Sequence, residues 1–183
     1  MPDAEKLRAL IAYHAAGARL GRTRDLSALV ALCDARLLAH ARRLSDDTET
    51  ARDIAQEAWI AVARALPGLR DEGAFLAFAL RIVTRQAARE VKRRQRRRVA
   101  DGVWVETRPE AEPPSEGHHD LDAALAALPA PQRVTLALFA IDGLSVAEVA
   151  QVLDIPPGTV KTRLMQARAR IRAHLNGGSD VQS

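Results

Sequence analysis

A single cysteine, Cys33, stands among 183 residues. That excludes an internal disulfide and any zinc site built on several thiolates. Aromatic residues are scarce too, at 3%: three Phe, two Trp and one Tyr. With few β-branched residues beside them, the chain is poor in sheet formers. No stretch approaches the roughly 20 apolar residues of a membrane span. The first 20 residues carry Lys6, Arg8 and Arg19 and no long apolar run, so no secretory signal is expected and the expected location is the cytoplasm. What is plentiful is alanine, 36 residues, and leucine, 22, both strong helix formers. The length suits one domain or two small ones, and the expected class is all-α.

The net charge of +4 is an average over unlike segments. Residues 1–100 carry net +8, residues 101–122 net −6, and residues 123–183 net +2. Such alternation points to polyanion contacts by the basic parts. The acidic stretch also holds Pro109, Pro113, Pro114, Ser115 and Gly117, a composition that builds no core. Residues 99–120 are therefore read as a linker, and residues 177–183 as a disordered tail.

Before the linker, apolar spacing predicts three helices and an additional one over residues 4–20. Thr23 is expected to cap the first of the three, whose apolar positions are Leu26, Leu29, Val30, Cys33, Leu37, Ala41 and Leu44. Ser45–Thr48 breaks it and caps the next, whose expected inward stripe is Ile54, Ala58, Ala61, Val62 and Ala65 and which stops at Pro67-Gly68. That helix carries Asp53, Gln56, Glu57, Ile60 and Arg64 on its other face. An apolar anchor with a polar rim is how a docking surface is built, although a solvated face has the same spacing. The third helix begins near Ala74 and carries Arg81, Arg85, Arg89, Lys92, Arg93 and Arg96 at spacings of three and four. Such a stripe neutralises phosphates. Phe75 and Phe78 at its start, next to Arg70, suit stacking on unpaired bases, or else belong to the core.

After the linker, a short helix stops at Pro129 and Pro131 opens another. Ser145 and Glu148 form a capping box for a helix over 146–153. A tight Asp154–Gly158 connection follows, and Thr159 opens a last helix. This is helix-turn-helix grammar. Outward on the second helix stand Lys161, Thr162, Met165, Gln166 and Arg168. Gln can pair an adenine edge, Lys can reach guanine or phosphate, and Thr or Met can touch a thymine methyl. The amides at Gly158 and Thr159 can hold a phosphate.

The run from Ala51 to Trp59, then Ala65-Leu66-Pro67, Phe75-Leu76-Ala77-Phe78, Arg81-Ile82 and the basic tail resembles region 2 of the extracytoplasmic-function class of bacterial sigma factors. The runs Leu128–Arg133, Gly143–Ala150, Pro156–Leu164 and Ala167-Arg168 resemble region 4. The resemblance covers about residues 24–98 and 120–175. It implies a factor that binds core RNA polymerase, through the β′ coiled coil and the β flap, and directs promoter-specific initiation. On that resemblance Asp53, Gln56, Glu57 and Ile60 dock on polymerase. Arg70, Phe75, Phe78, Arg81, Arg85, Arg89, Lys92 and Arg93 serve the −10 element. Ser145, Thr159, Lys161, Thr162, Met165, Gln166 and Arg168 serve the −35 element. The acidic linker threads the cleft and RNA channel, and an anti-sigma factor is an expected partner. The family usually has Trp where Phe78 stands, Asn and Asp where Arg85 and Arg89 stand, and Arg where Gln166 stands.

The expected architecture is thus two small helical domains, residues 23–98 and 121–176, with residues 1–22 as an N-terminal extension. The expected function is not enzymatic, with no cofactor, metal or small-molecule substrate. A free-standing helix-turn-helix regulator would need only the second domain and would leave the acidic linker and the Asp53–Ile60 face unexplained. Metal chemistry at His118, His119 and Asp120 lacks supporting residues around it, and Cys33 falls on an inward stripe as a small core residue.

Overall fold

The computed structural model describes residues 2–100, 124, 125 and 127–177. Every regular element among the described residues is helical. The chain divides into two compact units, Met1–Pro109 and Glu110–Ser183. The acidic run from residue 101 to 120, with His118, His119 and Asp120, lies outside the described residues, as does the tail beyond residue 177.

In the first unit, α1 is Pro2–Arg19, α2 Thr23–Leu44, α3 Thr48–Ala65 and α4 Phe75–Ala100; 3-10 turns at Leu66–Gly68 and Glu72–Ala74 join α3 to α4. The N-cap of α2 is Arg22, which makes no side-chain capping bond, and Thr23 is already helical. The expected Thr23 cap is lost because the chain turns one residue earlier: Gly21, at φ +82°, takes the left-handed conformation that closes α1. Asp47 caps α3 by accepting from the Thr50 amide at 2.7 Å. α4 begins at Phe75, one residue past the expected start.

The core of this unit is aliphatic and alanine-rich. Leu29, Leu37, Leu66, Leu80 and Phe75 are fully buried, each contributing about 2 kcal/mol of hydrophobic stabilisation. Ala15, Ala41, Ala51, Ala58 and Ala79 are fully buried between them, and small side chains let helices approach closely. Gly17 shows how closely: a Cβ there would stand 2.1 Å from Asp25 Oδ2. Polar links also join the helices. His14 Nδ1 lies 2.8 Å from Asp25 Oδ1, the Trp59 indole donates to Asp34 at 2.9 Å, and His40 Nε2 lies 2.9 Å from Thr84 Oγ1. Cys33 is fully buried, and burial pushes its thiol up to about 11, so it stays protonated and inert.

The second unit holds α5, Ala130–Ala140, α6, Val146–Leu153, and α7, Pro157–Gly177. Of the short helix expected before Pro129, residues 124 and 125 are helical. The capping box of α6 is complete: Glu148 N–H donates to Ser145 Oγ at 3.2 Å, and Ser145 N–H donates to Glu148 Oε2 at 2.7 Å. Asp154 ends α6 in the left-handed conformation, φ +55°, which Asp tolerates better than most residues. Val134, Leu138, Leu144, Val149, Val152, Val160, Leu164 and Ala167 fill the space between the three helices. α7 starts two residues before the expected Thr159, because Pro157 takes its first position.

Candidate nucleic-acid interface

Three exposed surfaces carry the residues singled out by the sequence. On α3, Asp53, Gln56, Glu57 and Ile60 are all exposed, and Ile60 keeps 48% of its surface in solvent. Ala51, Ile54, Ala55, Ala58 and Val62 bury the opposite side. The result is an anionic strip with one apolar side chain in it. Its field reaches α4: Arg93 is held more firmly protonated by its hydrogen bond to Glu90 and, more weakly, by the charge of Glu57.

The second surface runs along α4. Arg85, Arg89, Lys92, Arg93 and Arg96 are exposed and Arg81 is half-buried. Arg93 and Arg89 have partners on the same helix. Arg93 Nε lies 2.7 Å from Glu90 Oε2, and Arg89 donates to Gln86 Oε1 at 3.4 Å. The expected stripe is therefore continuous, with the charge of Arg93 offset by Glu90.

Near the head of α4, the two phenylalanines separate. Phe75 is fully buried, with its ring centroid 6.3 Å from that of Phe78. Phe78 is partly exposed. A ring with no exposed face offers nothing for a base to stack on, so of these two rings Phe78 is the one open to a stacking partner. Arg70 is exposed on the connection between the two 3-10 turns. Asp71 Oδ1 accepts from the Gly73 amide at 2.9 Å and shapes that connection. Glu72 receives an ion pair from Arg19 Nε of α1 at 3.0 Å. The packing of α1 against this loop had no sequence signal beyond helical spacing over residues 4–20.

The third surface is α7. Lys161, Thr162, Met165, Gln166 and Arg168 are exposed, and Thr159 is half-buried. Met165 keeps 65% of its surface in solvent. Thr162 Oγ1 donates to the Gly158 carbonyl at 3.0 Å, which leaves its methyl and oxygen lone pairs for a partner. Arg168 lies 5.7 Å from the Phe139 ring centroid, close enough for a cation–π contact. The Thr159 amide already donates to the Pro156 carbonyl at 2.9 Å, so of the two amides expected to hold a phosphate, this one is engaged. Ser145 is exposed at the N-terminus of α6. Sequence reasoning missed Gln132 of α5, which is 8% exposed and donates from Nε2 to Gln166 Oε1 at 3.1 Å. Among the described residues, no group of three or more acidic, His or Cys side chains is placed to hold a metal ion, and no helix is long and apolar enough to cross a membrane.

Comparison with known proteins identifies the family of each unit. Residues 29–97 match the Sigma-70 region 2 family and residues 118–171 match the Sigma-70, region 4 family. The chain is 30% identical over 166 residues to the RNA polymerase sigma-H factor of Pseudomonas aeruginosa, covering 82% of this chain and 86% of that one. It is 31% identical over 134 residues to the ECF RNA polymerase sigma-E factor of Escherichia coli, covering 65% of this chain and 70% of that one. Its fold resembles the sigma factor RpoE of Bartonella quintana, solved in complex with the anti-sigma factor NepR, with a TM-score of 0.67 and 24% identity over 87% of this chain and 99% of that one.

Proposed function

Because the chain belongs to the extracytoplasmic-function class of RNA polymerase sigma factors and serves promoter-specific transcription initiation, we infer that its three exposed surfaces divide that work. The observation that carries the inference is the pairing, within one chain, of an anionic strip on α3 with two basic helix faces. Asp53, Gln56, Glu57 and Ile60 dock on the β′ coiled coil of core polymerase. Arg70, Phe78 and the cations of α4 hold the −10 element, with Phe75 supporting Phe78 from the core. Ser145, Thr159, Lys161, Thr162, Met165, Gln166 and Arg168 present α7 to the major groove at −35.

In this reading residues 23–98 and 121–176 are the two working domains, and the acidic residues 99–120 pass through the positively charged cleft and RNA channel of polymerase, which net −6 over residues 101–122 favours. Tethering both domains on one polymerase supplies avidity that neither contact has alone. The factor acts by binding and not by catalysis, in the cytoplasm, with the β flap and an anti-sigma factor as further partners.

Run-off transcription with purified core polymerase on a promoter library tests the reading. The full chain should direct initiation from a defined subset of promoters and co-purify with core. Binding to promoter DNA without core, and no association with core, would replace the reading with a free-standing helix-turn-helix regulator.

A further inference from the structure

We propose that Gln132, buried in α5, is a specificity-determining residue that fixes how Gln166 presents its amide to DNA. The proposal rests on the assignment of α7 as the −35 reading helix and adds to it a residue that touches no DNA.

The geometry is simple. Gln132 Nε2 donates to Gln166 Oε1 at 3.1 Å. Gln132 is 8% exposed, while Gln166 is exposed on the outer face of α7. The other end of the Gln132 amide, Oε1, is buried with no hydrogen-bond partner. An orphaned buried acceptor is destabilising, and an apolar side chain of the same length would remove that cost. Stability alone therefore does not account for a glutamine here. Its one polar contact is the oxygen of Gln166.

That contact changes what Gln166 can read. A free glutamine pairs adenine with both ends of its amide, donating to N7 and accepting from N6. Here one lone pair of the oxygen is taken by Gln132 of α5, which leaves the NH2 group as the end of the amide better placed for a base. An amide that presents its donor end matches edges rich in acceptors: guanine O6 and N7, or thymine O4. It meets adenine at N7 alone. Cytosine offers only its amino donor in the major groove and is rejected. Gln132 thus converts Gln166 from an adenine reader into a reader of guanine or thymine.

The test uses the full chain with purified core polymerase and a promoter library randomised across the −35 element. The Gln166→Ala variant identifies the base pair read, as the position whose preference it abolishes. At that position the wild type should favour guanine or thymine over cytosine. Gln132→Met frees the Gln166 amide and should move preference toward adenine by about fivefold relative to guanine, the scale of one good base contact. The same substitution in a Gln166→Ala background should change nothing. The thermal midpoint of Gln132→Met should equal or exceed that of the wild type, and Gln132→Leu repeats the experiment with a differently shaped side chain. An unchanged guanine-to-adenine ratio in both Gln132 variants overturns the proposal while leaving α7 as the reading helix. A wild type that discriminates no base at −35, though it initiates from the −10 element, overturns both.

Discussion

Arg94 Nη2 lies 3.2 Å from Asp47 Oδ2, so the far end of α4 is tied to the carboxylate that caps α3. The same guanidinium donates to Thr50 Oγ1, and its Nε lies 3.2 Å from Glu90 Oε1. Arg94 sits in the middle of the basic run yet is spent on the fold, and it orients the stripe that surrounds it. Asp47→Ala removes the cap and the anchor together and should lower stability by about 1 kcal/mol or somewhat more. Asp47→Asn keeps a good cap and loses only the charge, so it should cost less than half as much, as expected of a half-exposed ion pair. Denaturant unfolding of the two variants separates the contributions.

His40 should make the first unit sensitive to mild acid. It is fully buried, and burial, aided by the charge of Arg43, pulls its pKa down from 6.5 to about 3. Thr84 donates its hydroxyl to the Leu80 carbonyl at 3.1 Å, so it accepts from His40 Nε2–H, and Nδ1 is left bare without a partner. The folded state holds a neutral ring that the unfolded state protonates. The stabilisation is whole above about pH 6.5 and is lost as pH falls toward about 3, at up to about 1.4 kcal/mol per pH unit. His40→Gln should flatten the slope between pH 6 and pH 4, measured as unfolding midpoint against pH. Asp47, held low chiefly by the Thr50 amide, and Glu90, held low chiefly by Arg93, act in a different window. Their stabilisation is present above the ordinary carboxylate range and lost below about pH 4, and His40→Gln should leave that loss in place.

Much of this organisation is legible in the residues, and the gaps have physical causes. Helix spacing and turn residues located the helices because their apolar stripes are regular and Pro67, Gly68 and Gly143 punctuate them. The Ser145–Glu148 box needed only the two residues and their separation. The Thr23 cap was misplaced because a capping preference is local, whereas the entry to α2 is set by the left-handed turn at Gly21. Phe75 and Phe78 look alike at three-residue spacing, and only packing shows that one is inside. Arg94, Gln132 and Arg19 left no signal because each works through a partner 34 to 53 residues away in sequence: Arg94 through Asp47, Gln132 through Gln166, and Arg19 through Glu72.

Charge reversal on α3 gives the sharpest check of polymerase docking. Glu57→Lys places a cation in the middle of the strip and should weaken core binding by about tenfold or more, while Ile60→Asp removes the apolar anchor with a similar effect. Both positions are exposed, so unfolding midpoints should move little. Neither variant should alter the binding of the second unit to −35 DNA. Unchanged core binding in Glu57→Lys would remove α3 from the interface.

The contact between α1 and the loop carrying Arg70 leads to a test on promoter opening. Arg19 Nε meets Glu72 at 3.0 Å, and Glu72 begins the 3-10 turn that leads directly into Phe75. α1 is itself held to α2 by His14 and Asp25, 2.8 Å apart, over Gly17, where no side chain fits. The loop carrying Arg70 is therefore braced from behind by a helix that the family match, starting at residue 29, does not include. Arg19→Glu sets two carboxylates against each other and should loosen the loop. Open-complex formation should fall severalfold, with core affinity unchanged because the α3 strip is untouched. The double variant Arg19→Glu with Glu72→Arg restores the pair in reverse and should recover most of the loss. Permanganate reactivity of unpaired thymines reads the opening directly. Recovery in the double variant assigns the effect to this pair. An equal defect in single and double variants would mean that the brace acts through something other than the Arg19–Glu72 contact.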